Sequence, residues 1–257
     1  EEYFTEGGIE LSRYDIIQSY MVFGGVPYYL SYFKKGLSFE NNADAILFGK
    51  NPRLKDEFNR LFRAIFSNPD ECKKIVKLLS HKHTGYTREE ISKETGILMG
   101  GGLSNTLSAL EESNFIIKYT PYNVKGRCKY YKLSDNFCLF WLKYVEPNVN
   151  NSSYLTENIT ADIITKWKGV AFEEVCWQHA NQIKRALGIE GVQTTISAWN
   201  VKGNDKRDGV QIDMIIKRAD NVINLCEMKF SGDSYIIEKD EELKLRNRID
   251  ELKKTLK

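Results

Sequence analysis

Through the first eighty residues, apolar positions recur at intervals of three and four. This spacing predicts helices over Tyr14–Tyr20, Pro27–Phe33, Ala43–Phe48, Leu54–Phe66 and Asp70–Leu79. The run Gly24-Gly25-Val26-Pro27 breaks the first from the second. Thr87 and Glu90 form a T-x-x-E capping box, which starts a helix through Ile91 that ends near Gly96. Gly100, Gly101 and Gly102 interrupt the chain before a helix with Leu103, Leu107 and Leu110 on one face. Two stretches around Phe115–Ile117 and Lys129–Leu133 then flank a turn at Asn123–Gly126 and read as a hairpin. An aromatic-rich helix, Phe137–Val145, stops at Pro147, and the polar residues 148–155 read as a linker. A long helix over Glu157–Leu187 follows. Three strands come next, Gln193–Trp199, Val210–Ile216 and Val222–Phe230, before a charged helix over Ile236–Leu256.

The expected fold class is therefore α/β overall, in three parts. Residues 1–80 are helical. Residues 81–147 have the helix and hairpin order of a winged helix-turn-helix. Residues 156–257 form an α/β domain. A chain of 257 residues has room for two or three such units.

The chemistry concentrates in the last part. A turn centred on Asp220 places Asp213 opposite Glu227 and Ile215 opposite Leu225 across an antiparallel pair. Side chains two apart share a face, so Asp213, Glu227 and Lys229 are expected on one side of the sheet. The strand carrying Glu227 has apolar residues on both faces, the pattern of a strand buried on both sides. Two carboxylates facing each other there repel, and burying them is costly. A divalent cation removes both problems, and hard oxygen ligands suit Mg²⁺ or Mn²⁺. Asp213, Glu227 and the carbonyl of Met228 are the expected ligands. Lys229 is placed to orient the attacking water and to stabilise charge on a phosphate. Glu173 has Cys176, Trp177 and Ala180 along its face of the preceding helix, which makes it the acid expected to reach the metal; Glu174 is expected to meet water.

A helix with Phe172-Glu173, a strand with Ile212-Asp213 and a strand with Glu227-Met228-Lys229 together resemble the PD-(D/E)xK nuclease superfamily. The family's proline before the aspartate is replaced here by Ile212. The resemblance implies a three-layer, restriction-endonuclease-like domain. In it Asp213 and Glu227 would bind the metal and Lys229 would be catalytic. It also implies a further strand after the last helix.

The likeness extends over most of the chain. Tyr20-Met21-Val22-Phe23-Gly24-Gly25-Val26-Pro27-Tyr28-Tyr29-Leu30 resembles the helical lid of bacterial and archaeal-type AAA+ (STAND-like) ATPases. Thr87-Arg88-Glu89-Glu90-Ile91 with the glycine run and Leu103 resembles their winged helix. Cys226–Phe230 with Leu245-Arg246-Asn247 resembles their terminal domain. The resemblance implies an ATPase-linked, Mg²⁺-dependent DNA endonuclease module. The alternative is a non-catalytic DNA- or protein-binding adaptor with a degenerate nuclease fold. No GxxxxGK[ST] loop is present, so ATP is expected only through an N-terminal ATPase core. The sequence opens at Glu1 in what reads as mid-domain sequence, as a piece of a longer protein would.

Charge and cysteine usage narrow the partners. The net charge is +2, so DNA binding rests on local patches rather than a global field. Ser104, Asn105, Thr106 and Ser108 on the second winged-helix helix offer polar contacts. Lys118, Lys125, Arg127, Lys129 and Lys132 form a basic wing suited to phosphates. In the final helix Lys239, Lys244 and Arg246 are candidates for a nucleic-acid groove. Expected partners are DNA, the ATPase core and, as an open alternative, further copies of the chain. The five cysteines are widely spaced without a CxxC pair, which fits reduced thiols in a cytoplasmic protein. His81 and His83 lack a third ligand and read as a solvated turn. No apolar run approaches the ~20 residues of a membrane helix.

Overall fold

The computed structural model describes residues 1–49, 51–122, 128–201 and 209–255. The chain opens with helices α1 (Glu2–Glu6), α2 (Arg13–Phe23), α3 (Pro27–Leu30), α4 (Phe39–Leu47), α5 (Glu57–Ile65) and α6 (Pro69–Leu79). Strand β1 (Tyr86–Thr87) leads into α7 (Arg88–Thr95) and α8 (Gly101–Glu112), followed by strands β2 (Ile116–Tyr119) and β3 (Tyr130–Leu133). Helix α9 (Asn136–Phe140) continues through a π-helical turn, Trp141–Val145. Then come α10 (Tyr154–Asn158), α11 (Asp162–Gln178) and α12 (Ala180–Ala186), strands β4 (Thr194–Val201), β5 (Val210–Arg218) and β6 (Ile223–Cys226), and helix α13 (Lys239–Thr255). The class is mixed α/β, with two three-stranded sheets ordered β1-β3-β2 and β4-β5-β6. No described helix is long and apolar enough to cross a membrane.

The chain divides into two compact units. One comprises Glu1–Ile117 and Tyr131–Glu174, the other Lys118–Tyr130 and Val175–Lys257.

Aromatic packing builds the core of the first unit. Phe62 meets Phe115 at 5.1 Å, Tyr29 meets Phe137 at 4.9 Å and Phe140 meets Trp167 at 5.0 Å between ring centroids. The capping box is present as expected. The Glu90 amide donates to Thr87 Oγ1 at 3.2 Å, and the Thr87 amide donates to Glu90 Oε2 at 2.7 Å. Gly96, at φ 73°, ends α7 in the left-handed conformation. The polar stretch read as a linker is tied down at its end. The buried Asp44 carboxylate accepts the amides of Leu155 and Thr156 at 2.8 and 2.9 Å.

The expected Glu157–Leu187 helix is broken into α10, α11 and α12. The breaks fall where side chains compete for backbone carbonyls. Asn158 Nδ2 donates to Tyr154 O at 2.8 Å, and His179 Nδ1 lies 2.8 Å from Val175 O.

Three sequence expectations are corrected in the first unit. Glu174 does not meet water, and Lys132 is not on a solvated wing. Both are buried and joined by an ion pair of 2.7 Å. Helical periodicity placed Glu174 among polar neighbours, but β3 supplies a lysine that makes its burial tolerable. Thr106 is also buried, its hydroxyl engaged by Gly102 O at 3.1 Å and Glu71 Oε2 at 3.3 Å, so it offers no free polar contact.

In the second unit, β5 is the central strand. It pairs with β6 in the register read from the turn, Ile215 opposite Leu225 and Met214 opposite Cys226. Asn221 takes the positive φ of that turn, 64°, which asparagine tolerates.

Candidate functional site

The site begins with an irregularity. Along β4 and β5, Ser197 pairs with Ile215, but Trp199 pairs with Ile212. One residue on β4, Ala198, therefore faces two on β5, Asp213 and Met214. This is a β-bulge on β5 at Asp213. Bulges interrupt a ladder and re-aim a side chain, and they occur often beside active sites.

The bulge explains the local packing. Residues three apart on a regular strand point to opposite faces, yet Ile212 and Ile215 lie in one core cluster with Trp199 and Leu252. It also frees backbone groups, and buried backbone groups need partners. The indole Nε1 of Trp177 donates to the carbonyl of Asp213 at 3.1 Å, and the amide of Tyr122 donates to the carbonyl of Ala198 at 2.8 Å. Trp177 is itself held edge-on against Tyr119, ring centroids 5.5 Å apart.

The Asp213 carboxylate is half-buried and reaches past the end of the β5–β6 ladder. Its Oδ2 accepts the amide of Met228 at 3.1 Å, and its Oδ1 accepts Gln211 Nε2 at 3.3 Å. That side chain stands where the ladder would have continued, which is why β6 ends at Cys226 rather than at Phe230. Burial pushes the Asp213 carboxyl above the usual aspartate range. The Met228 amide opposes that shift, the nearby Glu227 carboxylate adds to it, and Arg248 opposes it.

Glu227 is bracketed by cations. Its Oε1 lies 2.8 Å from Lys229 Nζ, and its Oε2 contacts Arg248 Nη1. Lys229 also reaches Glu241 at 3.3 Å, and Glu241 accepts from the Tyr235 hydroxyl. Burial favours the neutral amine of Lys229, but the pairs with Glu227 and Glu241 outweigh it and raise the Lys229 pKa. These groups border a groove of about 520 Å³ whose walls include Lys229, Lys244 and Arg248.

Lys229 thus contacts Glu227, and Glu227 lies near enough to Asp213 to act on its charge. Glu173 lies half-buried on α11 in the first unit. Ser104 donates to Gly100 O at 3.2 Å, and Asn105 is exposed on α8. Lys129 is exposed and donates to Thr120 Oγ1 at 2.8 Å. Lys125 and Arg127 lie outside the described residues. Arg246 faces outward and pairs with Glu242 at 2.6 Å.

Sequence reading overlooked Arg248 and Gln211, and placed Trp177 only on the buried stripe of its helix. The first was findable. Leu245 and Leu252 flank Arg248 at i−3 and i+4, which marks the buried face of α13.

The oxygen donors here are two carboxylates, one of them desolvated and repelled by the other, the ligand class that hard divalent ions take. Among the described residues no group of three or more His, Cys, Asp or Glu side chains is disposed to hold a metal. An ion held here would keep most of its shell as water, as Mg²⁺ does when one or two carboxylates bind it.

Comparison with known proteins gives one point of reference. The chain is 26% identical over 196 residues to the uncharacterized protein MJECL04 of Methanocaldococcus jannaschii. The match covers 74% of this chain and 43% of that relative. This chain therefore corresponds to less than half of the archaeal protein. No family model matches the chain, and no solved structure matches it.

Proposed function

We propose that residues 156–257 form a PD-(D/E)xK-type domain that hydrolyses DNA phosphodiester bonds with Mg²⁺ or Mn²⁺. In this reading the domain belongs to the C-terminal region of a cytoplasmic AAA+ (STAND-like) ATPase, with residues 1–80 as lid and 81–147 as a DNA-binding winged helix. The observation that carries it is the half-buried Asp213 carboxylate, presented by a bulge beside Glu227, with Lys229 in contact with Glu227.

Asp213 and Glu227 would hold the cation, with the Met228 carbonyl as a further oxygen donor. The ion, when bound, would polarise the phosphate and lower the pKa of an attacking water. Asp213 is fixed for this by the Met228 amide and by the Trp177 indole on its own carbonyl. Lys229 would orient the water and offset charge growing on the phosphate oxygens. Its ion pairs keep it protonated, which fits an electrostatic role better than a general base.

Relaxation or linearisation of supercoiled plasmid with Mg²⁺ or Mn²⁺ tests this reading. Asp213→Ala and Lys229→Ala are expected to lose at least 10²-fold of the cleavage rate, the usual scale of an electrostatic or acid–base contribution. Variants that cut like the wild type would sink the assignment.

One observation favours a second reading. Glu227 is already neutralised by Lys229 and Arg248, as in a binding domain that needs no metal. A non-catalytic DNA- or protein-binding adaptor would show no Mn²⁺ binding dependent on Asp213.

A further inference from the structure

Arg248 borders the groove and reaches Glu227 from α13. Leu252, one turn on, is buried against Trp199, Ile212 and Ile215, so the α13 face that carries both residues is fixed against β5. The guanidinium arrives at Glu227 from an anchored helix, not from a loop. Arg246, two residues earlier, turns outward to Glu242 instead.

The two oxygens of Glu227 are divided between two cations, and the two are held differently. Lys229 has a second carboxylate, Glu241. Among the described residues Glu227 is the one ion-pair partner of Arg248. A divalent ion seated between Asp213 and Glu227 would compete with these cations for Glu227, and Arg248 is the one of the two whose charge also acts on Asp213, so it already serves both acids. Its guanidinium also borders the groove shared with Lys229 and Lys244. A planar fork of donors matches phosphate oxygens in pairs.

We propose that Arg248 is the resident counter-ion of the Asp213–Glu227 pair: it fills the cation position while no divalent ion is bound, yields it when one binds, and then grips a substrate phosphate in the groove. This inference rests on reading the two acids as a divalent-cation site.

The test is Mn²⁺ titration of the 257-residue chain, with free Mn²⁺ followed by electron paramagnetic resonance, for wild type, Arg248→Gln, Arg248→Lys and Asp213→Asn. Binding of a fluorescent DNA duplex is measured in parallel in Ca²⁺. Arg248→Gln is expected to bind Mn²⁺ about tenfold more tightly and the duplex about tenfold more weakly, each roughly 1.4 kcal/mol. Arg248→Lys is expected to keep wild-type Mn²⁺ affinity while losing duplex affinity, because an ammonium cannot make the paired bonds.

Wild-type Mn²⁺ affinity in Arg248→Gln, with binding still lost in Asp213→Asn, overturns the counter-ion inference and leaves the cation site standing. No Mn²⁺ binding in any variant removes both. Should Arg248→Gln fail to fold, undiminished duplex affinity in Arg248→Lys overturns the inference.

Discussion

At Asp213 two effects act in opposite directions. The Met228 and Gln211 donors favour the carboxylate, while burial and Glu227 disfavour it, and the second pair wins. A raised pKa in the folded state means that the folded protein binds this proton more tightly than the unfolded chain does. The associated stability is present below the ordinary aspartate range and is lost as pH rises through the higher folded value. At pH 7 the ionised Asp213 therefore costs stability. Asp213→Asn keeps an acceptor for the Met228 amide and removes the charge. It is expected to raise the melting temperature modestly at pH 7 and to show no gain near pH 3. A destabilised Asp213→Asn at pH 7 would contradict the electrostatic account. The position and partner strand of Asp213 were legible in the sequence, because turn chemistry sets a register and register sets a face. The bulge was not legible, because it depends on Ala198 and its neighbours in β4, which sequence spacing on β5 does not reveal.

Among elements, the join between β3 and α11 was the least legible. Periodicity assigns Glu174 to solvent, and the clustering of basic residues assigns Lys132 to a wing. Only the pairing of two distant segments shows that each neutralises the other in a dry place. The arrangement is incomplete, for Glu174 Oε2 is buried and accepts no hydrogen bond from the described residues. Breaking a buried pair from one side leaves a stranded charge, whereas replacing both partners with apolar groups is often neutral. Lys132→Met is accordingly expected to cost about 3–5 kcal/mol in urea unfolding, and Lys132→Met with Glu174→Met to recover most of it. A single variant that loses less than about 1 kcal/mol would show the pair to be unimportant to folding. By contrast, the Thr87–Glu90 capping box was fully legible, because all its interactions are local.

At the scale of the whole molecule, charge bounds what DNA binding can look like. The net charge is +2, Lys132 is withdrawn into the interior, and Lys118 and Lys129 are the exposed cations among the described residues of the β2–β3 hairpin. Duplex affinity of the full chain should fall with salt along a logarithmic slope of roughly −2 to −4, the release expected from about two to four neutralised phosphates. A flat dependence would remove the hairpin as a DNA contact. The archaeal relative extends well beyond the matched part, which is 43% of its length.

The β4–β5 mismatch also determines how the domain would respond to a change in length. Strand β5 carries one residue too many for its neighbour, and that surplus keeps the Asp213 carbonyl off the ladder for Trp177 to take. Adding one residue to β4 between Ser197 and Trp199 would even the count and let the strands zip straight through. Hydrogen bonding within the sheet would improve while the acid lost its aim. A sheet made more regular in this way would make a poorer holder for the chemistry assigned to it.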